Sequence, residues 1–282
     1  MEKILSQTAP QPFLKWAGGK RQLLPEIRKY IPQMFDTYYE PFVGAGAVLF
    51  DLRPKKAVIN DINKELINVY MVIRDHVDEL IEDLKRHKNE KEYFYALRNL
   101  DRTPQYAELS PVKKASRIIY LNKTCYNGLY RVNKRGEFNV PFGRYKNPQF
   151  VNETVLRAVH AYFNSAQIVM KNEDFVSAVA TAKKGDFVYF DPPYDPVSET
   201  SSFTSYSLDG FTKDDQIRLR NLCTELDERG VKFLLSNSAT DFIMNIYSEK
   251  GFIIEKVAAA RHINSDAAKR GKIYEVLIRN YK

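Results

Sequence analysis

Asp191-Pro192-Pro193-Tyr194 directly follows the apolar run Phe187-Val188-Tyr189-Phe190, and few chemistries need a carboxylate beside two prolines and an aromatic ring. The run is short, β-branched and aromatic, so it reads as a buried parallel strand. Open α/β sheets bind ligands just past the carboxyl ends of such strands. Each proline has a fixed φ and no N–H, which stiffens the turn and leaves its carbonyls as acceptors. An amino group on a heteroaromatic ring fits there. Its lone pair is delocalised into the ring, and hydrogen bonds from its two N–H groups to Asp191 and the Pro192 carbonyl would localise that pair for in-line attack on a methyl donor. Asp191 must be ionised to accept, and Tyr194 would stack on the ring, so the four residues supply placement rather than covalent catalysis. Standing alone, the tetrapeptide also reads as an ordinary strand-to-loop turn.

Two further segments extend the chemistry. Tyr38-Tyr39-Glu40-Pro41-Phe42-Val43-Gly44-Ala45-Gly46 reads as a strand end and a glycine turn leading into the apolar segment from Ala47 to Leu52. Gly44 and Gly46 allow close backbone approach to a nucleoside, but Leu49 stands in place of the third glycine of a dinucleotide fingerprint, which disfavours a pyrophosphate. The run Ala57-Val58-Ile59-Asn60 ends at Asp61, placed to accept from ribose hydroxyls. Phe13-Leu14-Lys15-Trp16-Ala17-Gly18-Gly19-Lys20 is not a phosphate loop, because Leu14 and Arg21 break that pattern. Its lysine suits a carboxylate such as the amino-acid end of S-adenosylmethionine; in isolation the segment reads as a tight turn with a core tryptophan.

A third stretch points to nucleic acid. Between Tyr126 and Pro148, Arg131, Lys134, Arg135, Arg144 and Lys146 face a single acid, Glu137, in a chain of formal net charge +8. Lys134-Arg135-Gly136 reads as a hairpin tip. Basic side chains offset phosphate charge, and an arginine held bidentate on guanine contributes roughly 1–3 kcal/mol of discrimination. A solvated basic loop is the plain alternative.

These segments, with Tyr126-Asn127-Gly128-Leu129-Tyr130-Arg131-Val132-Asn133 and Gly136-Glu137-Phe138-Asn139-Val140-Pro141-Phe142-Gly143-Arg144-Tyr145-Lys146 between them, resemble the Dam-type DNA adenine methyltransferases from about Phe13 to the C-terminal end. The resemblance implies S-adenosylmethionine as cofactor, held by Trp16, Ala17, Gly18, Lys20, Glu40, Phe42, Gly44, Gly46, Asp61, Ile62, Asp174, Phe175 and Asp191. It implies catalysis by Asp191, Pro192, Pro193 and Tyr194. It also implies contacts to duplex DNA, at GATC sites, by Lys15, Tyr126, Asn127, Leu129, Arg131, Asn133, Pro141, Arg144 and Lys146. Tyr130 departs from some relatives and bears on flanking-sequence contacts. A cognate restriction endonuclease acting on the same site is a further expected partner.

The elements that must position these groups follow from the rest of the sequence. With 282 residues, 44% of them hydrophobic, and no apolar run near the ~18 residues of a membrane span, the chain buries a sizeable core. Strands are expected near Tyr38, Ala57, Gln167, Phe187, Val231, Phe252 and Ile273, with helices between most of them. That is an α/β, Rossmann-like methyltransferase sheet whose last strand is antiparallel. About a hundred residues separate the second and third strands, more than a crossover needs. Helix formers from Leu66 to Leu100, a helix start at Ser110-Pro111 and the basic hairpin fill that interval. We therefore assign residues 1–68 and 165–282 to a catalytic domain and 69–164 to an inserted, mostly helical target-recognition domain.

The Ser/Thr-rich stretch from Val197 to Leu208 suits a lid or a linker, and Arg261, Lys269, Arg270 and Lys272 form a basic loop between the last two strands. Cys125 and Cys223 are too few for a disulfide framework, and Met1-Glu2-Lys3-Ile4 opens no secretory signal, so a reducing cytoplasm is expected; a monomer acting on one strand at a time is expected separately. His76, His87, His160 and His262 show no zinc or triad spacing, so no metal is expected. A stacked adenine amine cannot reach a buried donor, so the base must flip out. The alternatives are an amino-methyltransferase acting on cytosine, ribosomal RNA guanine or protein glutamine, a catalytically silent DNA-binding relative, and a nicotinamide oxidoreductase. Intact Lys20, Asp61 and Asp191 disfavour the silent relative; Leu49 and the unused tetrapeptide disfavour the oxidoreductase.

Overall fold

The computed structural model describes residues 8–16, 18–197, 210–259 and 273–282. Seven strands, β1 (Tyr38–Glu40), β2 (Lys56–Asn60), β3 (Gln167–Lys171), β4 (Phe187–Phe190), β5 (Lys232–Ser238), β6 (Ile253–Ala259) and β7 (Ile273–Arg279), form one sheet. Their order is β3-β2-β1-β4-β5-β7-β6. β1 runs parallel to β2 and β4, and β4 parallel to β5. β7 is antiparallel to both neighbours, β5 and β6, as expected of a methyltransferase sheet. All seven strands fall where the β-branched and aromatic runs place them.

Compactness divides the chain into two units. One comprises residues 20–43, 56–62 and 173–282 and carries β1, β2, β4, β5, β6 and β7. Every residue of β4 is buried, the pattern of a parallel strand covered on both faces. Its core joins Val188 and Phe190 to Leu219, Leu222, Phe233 and Ile278. The other unit comprises residues 1–19, 44–55 and 63–172 and is mostly helical.

The helices, in chain order, are α1 (Leu24–Tyr30), α2 (Ala47–Leu52), α3 (Lys64–Asp75), α4 (Val77–Leu84), α5 (Lys91–Asn99), α6 (Gln105–Glu108), α7 (Pro111–Thr124), α8 (Glu153–Ser165), α9 (Phe175–Ala178), α10 (Lys213–Glu228) and α11 (Asp241–Ser248). α7 starts as read from the sequence, with Pro111 in the first turn and Ser110 Oγ accepting from the Lys113 N–H at 3.3 Å. α3 packs on α7 and α8 through Leu66, Val69, Tyr70 and Ile73. After α7, regular structure gives way to two isolated antiparallel bridges, Cys125 with Phe142 and Val132 with Phe138. The expected hairpin is thus a framed loop closed by Asn133 and Gly136, with Gly136 at φ +79°.

Candidate active site and nucleic-acid interface

Asp191 leaves the end of β4 with its carboxylate held from two sides. Lys20, buried at the head of the turn Lys20–Gln22, places Nζ 2.8 Å from Oδ1. Ser236, near the end of β5, donates from Oγ to the same oxygen at 3.1 Å and meets the Tyr189 hydroxyl at 2.9 Å. Both contacts fall on Oδ1, and the side chain keeps 20% of its surface exposed. Burial pushes the Asp191 carboxyl above the ordinary aspartate value; Lys20 and Ser236 pull it back down.

The rest of the tetrapeptide is fixed as firmly. Lys20 Nζ lies 4.4 Å from the Tyr194 ring centroid, and the Tyr194 hydroxyl donates to Glu275 Oε2 at 2.9 Å. Burial holds that phenol well above its usual value, so it stays a donor. The Pro193 carbonyl accepts from Gln216 Nε2 at 2.9 Å, and Gln216 is itself tied to Asn237, whose Oδ1 accepts from the Asp195 N–H. Among the described residues no donor is paired with the Pro192 carbonyl. Among the described residues, the Pro192 carbonyl thus keeps both lone pairs for a ligand, whereas Pro193 has one engaged.

Two further acids stand at the ends of the neighbouring parallel strands. Glu40 closes β1, buried, and accepts from the Tyr38 hydroxyl at 2.8 Å. Asn60 closes β2 and clamps its surroundings, donating to the Pro41 and Glu173 carbonyls at 3.0 Å and accepting from the Glu173 N–H at 2.8 Å. Asp61 and Ile62 follow this clamp, and Ile62 is 66% exposed, unusual for so apolar a side chain. Phe42 packs against Phe175 and Phe211 with centroids 5.4 and 5.8 Å apart. Asp174 caps α9 through the Val176 N–H and is held by Arg218 at 3.1 Å.

The helical unit arranges the remaining candidates. Trp16 stacks on Tyr130 at 4.9 Å, so Tyr130 is turned into the core. Gly44 sits at φ +48°, where a Cβ would meet the Trp16 ring at 3.0 Å. Gly46, at φ +70°, lies under Tyr70, whose hydroxyl donates to the Gly44 carbonyl at 2.9 Å. Gly18 also has positive φ, and Ala17 lies outside the described residues.

Asn122, fully buried on α7, accepts from the Lys15 N–H at 2.8 Å and donates to the Lys15 and Gly128 carbonyls at 2.7 and 3.1 Å. Lys15 is thereby brought to the Tyr126–Arg131 loop. Tyr126, 56% exposed, donates its N–H to the Pro141 carbonyl at 2.8 Å, which sets Tyr126, Asn127 and Pro141 on one exposed rim. Leu129 is half-buried, and Arg131, Arg144 and Lys146 are exposed. Asn133 closes the loop, accepting from the N–H groups of Arg135 and Glu137.

Sequence reasoning missed Ser236, Asn237, Gln216, Glu275, Asn60 and Asn122. The polar trio Ser236-Asn237-Ser238 ending the apolar run of β5 was a usable signal, since strand ends of this kind line ligand sites. Glu275 and Asn122 carry no local signal; tertiary pairing alone gives them their roles. The Ser/Thr-rich lid candidate from residue 198 onward and the basic loop of Arg261, Lys269, Arg270 and Lys272 lie outside the described residues. Among the described residues no helix is long and apolar enough to cross a membrane, and no group of three or more His, Cys, Asp or Glu is placed to hold a metal.

Comparison with known proteins identifies the family. Residues 16–263 match the family model of the D12 class N6 adenine-specific DNA methyltransferases. The chain is 47% identical over 273 residues to the type II methyltransferase M1.LlaDCHI of Lactococcus lactis subsp. cremoris, covering 96% of this chain and 95% of that one. It is 46% identical to the type II methyltransferase M.MjaIII of Methanocaldococcus jannaschii, covering 96% and 99%, and 38% identical to a DNA adenine methylase of Serratia marcescens, covering 94% and 96%. A family match across most of the length and relatives alike over nearly the whole of both chains lead to one conclusion: the chain belongs to the D12 class N6 adenine-specific DNA methyltransferases.

Proposed function

We propose that this protein methylates the exocyclic amine of adenine within GATC in duplex DNA, after flipping the base out of the helix. The observation that carries the chemistry is the division of Asp191: Lys20 and Ser236 occupy Oδ1, which leaves Oδ2 for the substrate. The amine would donate one N–H to Oδ2 and the other to the Pro192 carbonyl. Its lone pair then points out of the ring plane, and the proton lost on methylation leaves by way of Oδ2. Tyr194, its hydroxyl anchored on Glu275, would stack on the flipped base and offset part of the few kcal/mol of unstacking.

The residues present fit S-adenosylmethionine, which the family implies. Lys20 suits its carboxylate, Glu40 and Asp191 its ammonium, Asp61 its ribose, and Phe42, Ile62 and Phe175 its adenine, with Asp174 beside them. Trp16, Gly18, Gly44 and Gly46 are assigned to the same cofactor. When bound, the cofactor supplies an electrophilic methyl group. Residues 69–164 act as the target-recognition domain. Leu129, Arg131 and Pro141 within it, with Lys15 from outside it, read bases, Tyr126 and Asn127 enter the vacated helix, and Asn133, Arg144 and Lys146 take the backbone. The type II names of the Lactococcus and Methanocaldococcus relatives support service beside an endonuclease acting on the same site.

The test uses purified protein, methyl-labelled donor and duplexes carrying GATC or each single-base-pair replacement. Label in N6-methyladenine on GATC alone, lost in Asp191→Ala with DNA binding retained, is the expected result. Label in cytosine, or equal labelling of every duplex, overturns the substrate or the site assignment respectively.

A further inference from the structure

Arg131 and Asn139 face each other across the loop that Asn133 closes. The Asn139 N–H donates to the Arg131 carbonyl at 3.1 Å, and Arg131 Nε donates back to Asn139 Oδ1 at 2.7 Å. A guanidinium can offer a planar acceptor pair either its side edge, Nε with one terminal nitrogen, or its end, Nη1 with Nη2. Here the side edge is already engaged.

We infer that Asn139 is a positioning residue for sequence recognition. By holding Nε, it presents the Nη1/Nη2 end of Arg131 to the O6 and N7 of one guanine in the target site. The inference rests on the reading of Arg131 as a base-contacting residue given above.

The surroundings of Asn139 suit that role. It alternates with Phe138 and Val140, both buried, so its neighbours fix its backbone on either side. The Phe138 N–H donates to Asp101 Oδ2 at 2.8 Å, and Arg102 Nη2 donates to the Phe138 carbonyl at 3.2 Å. Asp101 is in turn paired at 2.7 Å with the fully buried Arg117, whose Nε and Nη2 are also bound to the Leu97 and Arg98 carbonyls. The segment carrying Asn139 is thus tied to α7 through the Asp101–Arg117 ion pair. On the Arg131 side, the Asn133 N–H donates to the Glu137 carbonyl at 2.9 Å, so both sides of the loop share one frame. An arginine held in this way has fewer torsions to freeze when it meets DNA.

The experiment measures methylation kcat/KM for the wild type, Asn139→Ala, Asn139→Asp, Arg131→Ala and the Asn139→Ala/Arg131→Ala double variant. Each is assayed on GATC duplex and on duplexes with one base pair replaced in turn. Asn139→Ala is expected to lose about tenfold of its discrimination at a single G·C pair and to keep the rest. Asn139→Asp, which keeps an acceptor for Nε, retains discrimination, and the double variant matches Arg131→Ala. Equal loss on all duplexes, unchanged discrimination in Asn139→Ala, or additive losses in the double variant would overturn the inference. A wild type that prefers GATC while Arg131→Ala discriminates as well as it does overturns the reading of Arg131 instead.

Discussion

Replacing Ser236 by alanine tests whether its neighbours set the ionisation of Asp191. Ser236 Oγ meets Asp191 Oδ1 at 3.1 Å, the hydroxyl of fully buried Tyr189 at 2.9 Å and, more distantly, the Phe190 carbonyl at 3.4 Å. Alanine removes a hydrogen bond to a charged acceptor, about 1.5–3 kcal/mol, and strands a buried phenol at a cost of about 1–3 kcal/mol. The Asp191 side chain is 20% exposed, so water replaces part of the first contribution, and a total loss of about 2–4 kcal/mol is expected at neutral pH.

The two parts separate with pH. Burial raises the folded value of Asp191 above 3.8, so its contribution to stability is fully present below 3.8 and is lost as pH rises through the folded value. Ser236→Ala removes one of the contacts that lower that value, so the folded value rises further and the deficit deepens across the same window. In the mechanism proposed above the methylation rate requires ionised Asp191, so its acid limb should move to higher pH. The Tyr189 part does not vary there, because burial holds that phenol well above 10. Adding Tyr189→Phe restores stability without moving the limb back. Single-turnover rates across a pH series, with thermal melts at each pH, read both parts. An acid limb at the wild-type position in folded Ser236→Ala protein refutes the argument that Oδ1 is tuned by these contacts.

Gly46→Ala places a Cβ 2.8 Å from the Tyr70 hydroxyl and 2.9 Å from the Phe50 ring at positive φ, and should cost about 2–5 kcal/mol in a thermal melt. Gly251→Ala, at φ +75° with nothing within 4 Å, should cost only about 1–2 kcal/mol; equal losses in the two would contradict the packing argument. Asn122→Ala removes the clamp between Lys15 and Gly128 and should cost about 2–4 kcal/mol in urea, with weaker DNA binding in a mobility shift; undiminished binding would show that the clamp does not position Lys15. Lys146→Ala should weaken binding to every duplex alike and lower the slope of log K against log salt by about 1, measured by filter binding; a change confined to one sequence would mark it as a base reader.

What was legible in the sequence follows from range. β4 announces itself because a strand buried on both faces must be apolar throughout, as Phe187 to Phe190 are. Asp191-Pro192-Pro193-Tyr194 was legible because proline geometry is local. The partners that tune the tetrapeptide were not. Ser236 and Glu275 lie 45 and 81 residues from the groups they touch, and only the order β4-β5-β7 brings them there. Asn122 reads as one more polar residue of α7, yet it is fully buried because its amide meets three backbone groups brought in from elsewhere. The tip of the basic hairpin was legible from Gly136, but the lack of a ladder was not, since beyond the single Val132–Phe138 bridge Phe138 and Val140 are held by the side chains of Asp101 and Arg98.

β7 lies between β5 and β6, although it is made after both. A nascent chain that has exposed Tyr194 but not yet β7 lacks the Glu275 acceptor for its hydroxyl, and β5 still presents an open edge. The Glu275 partner of the Tyr194 hydroxyl is in place only after β7 has inserted between β5 and β6, so completion of the sheet and the fixing of that ring are one folding event.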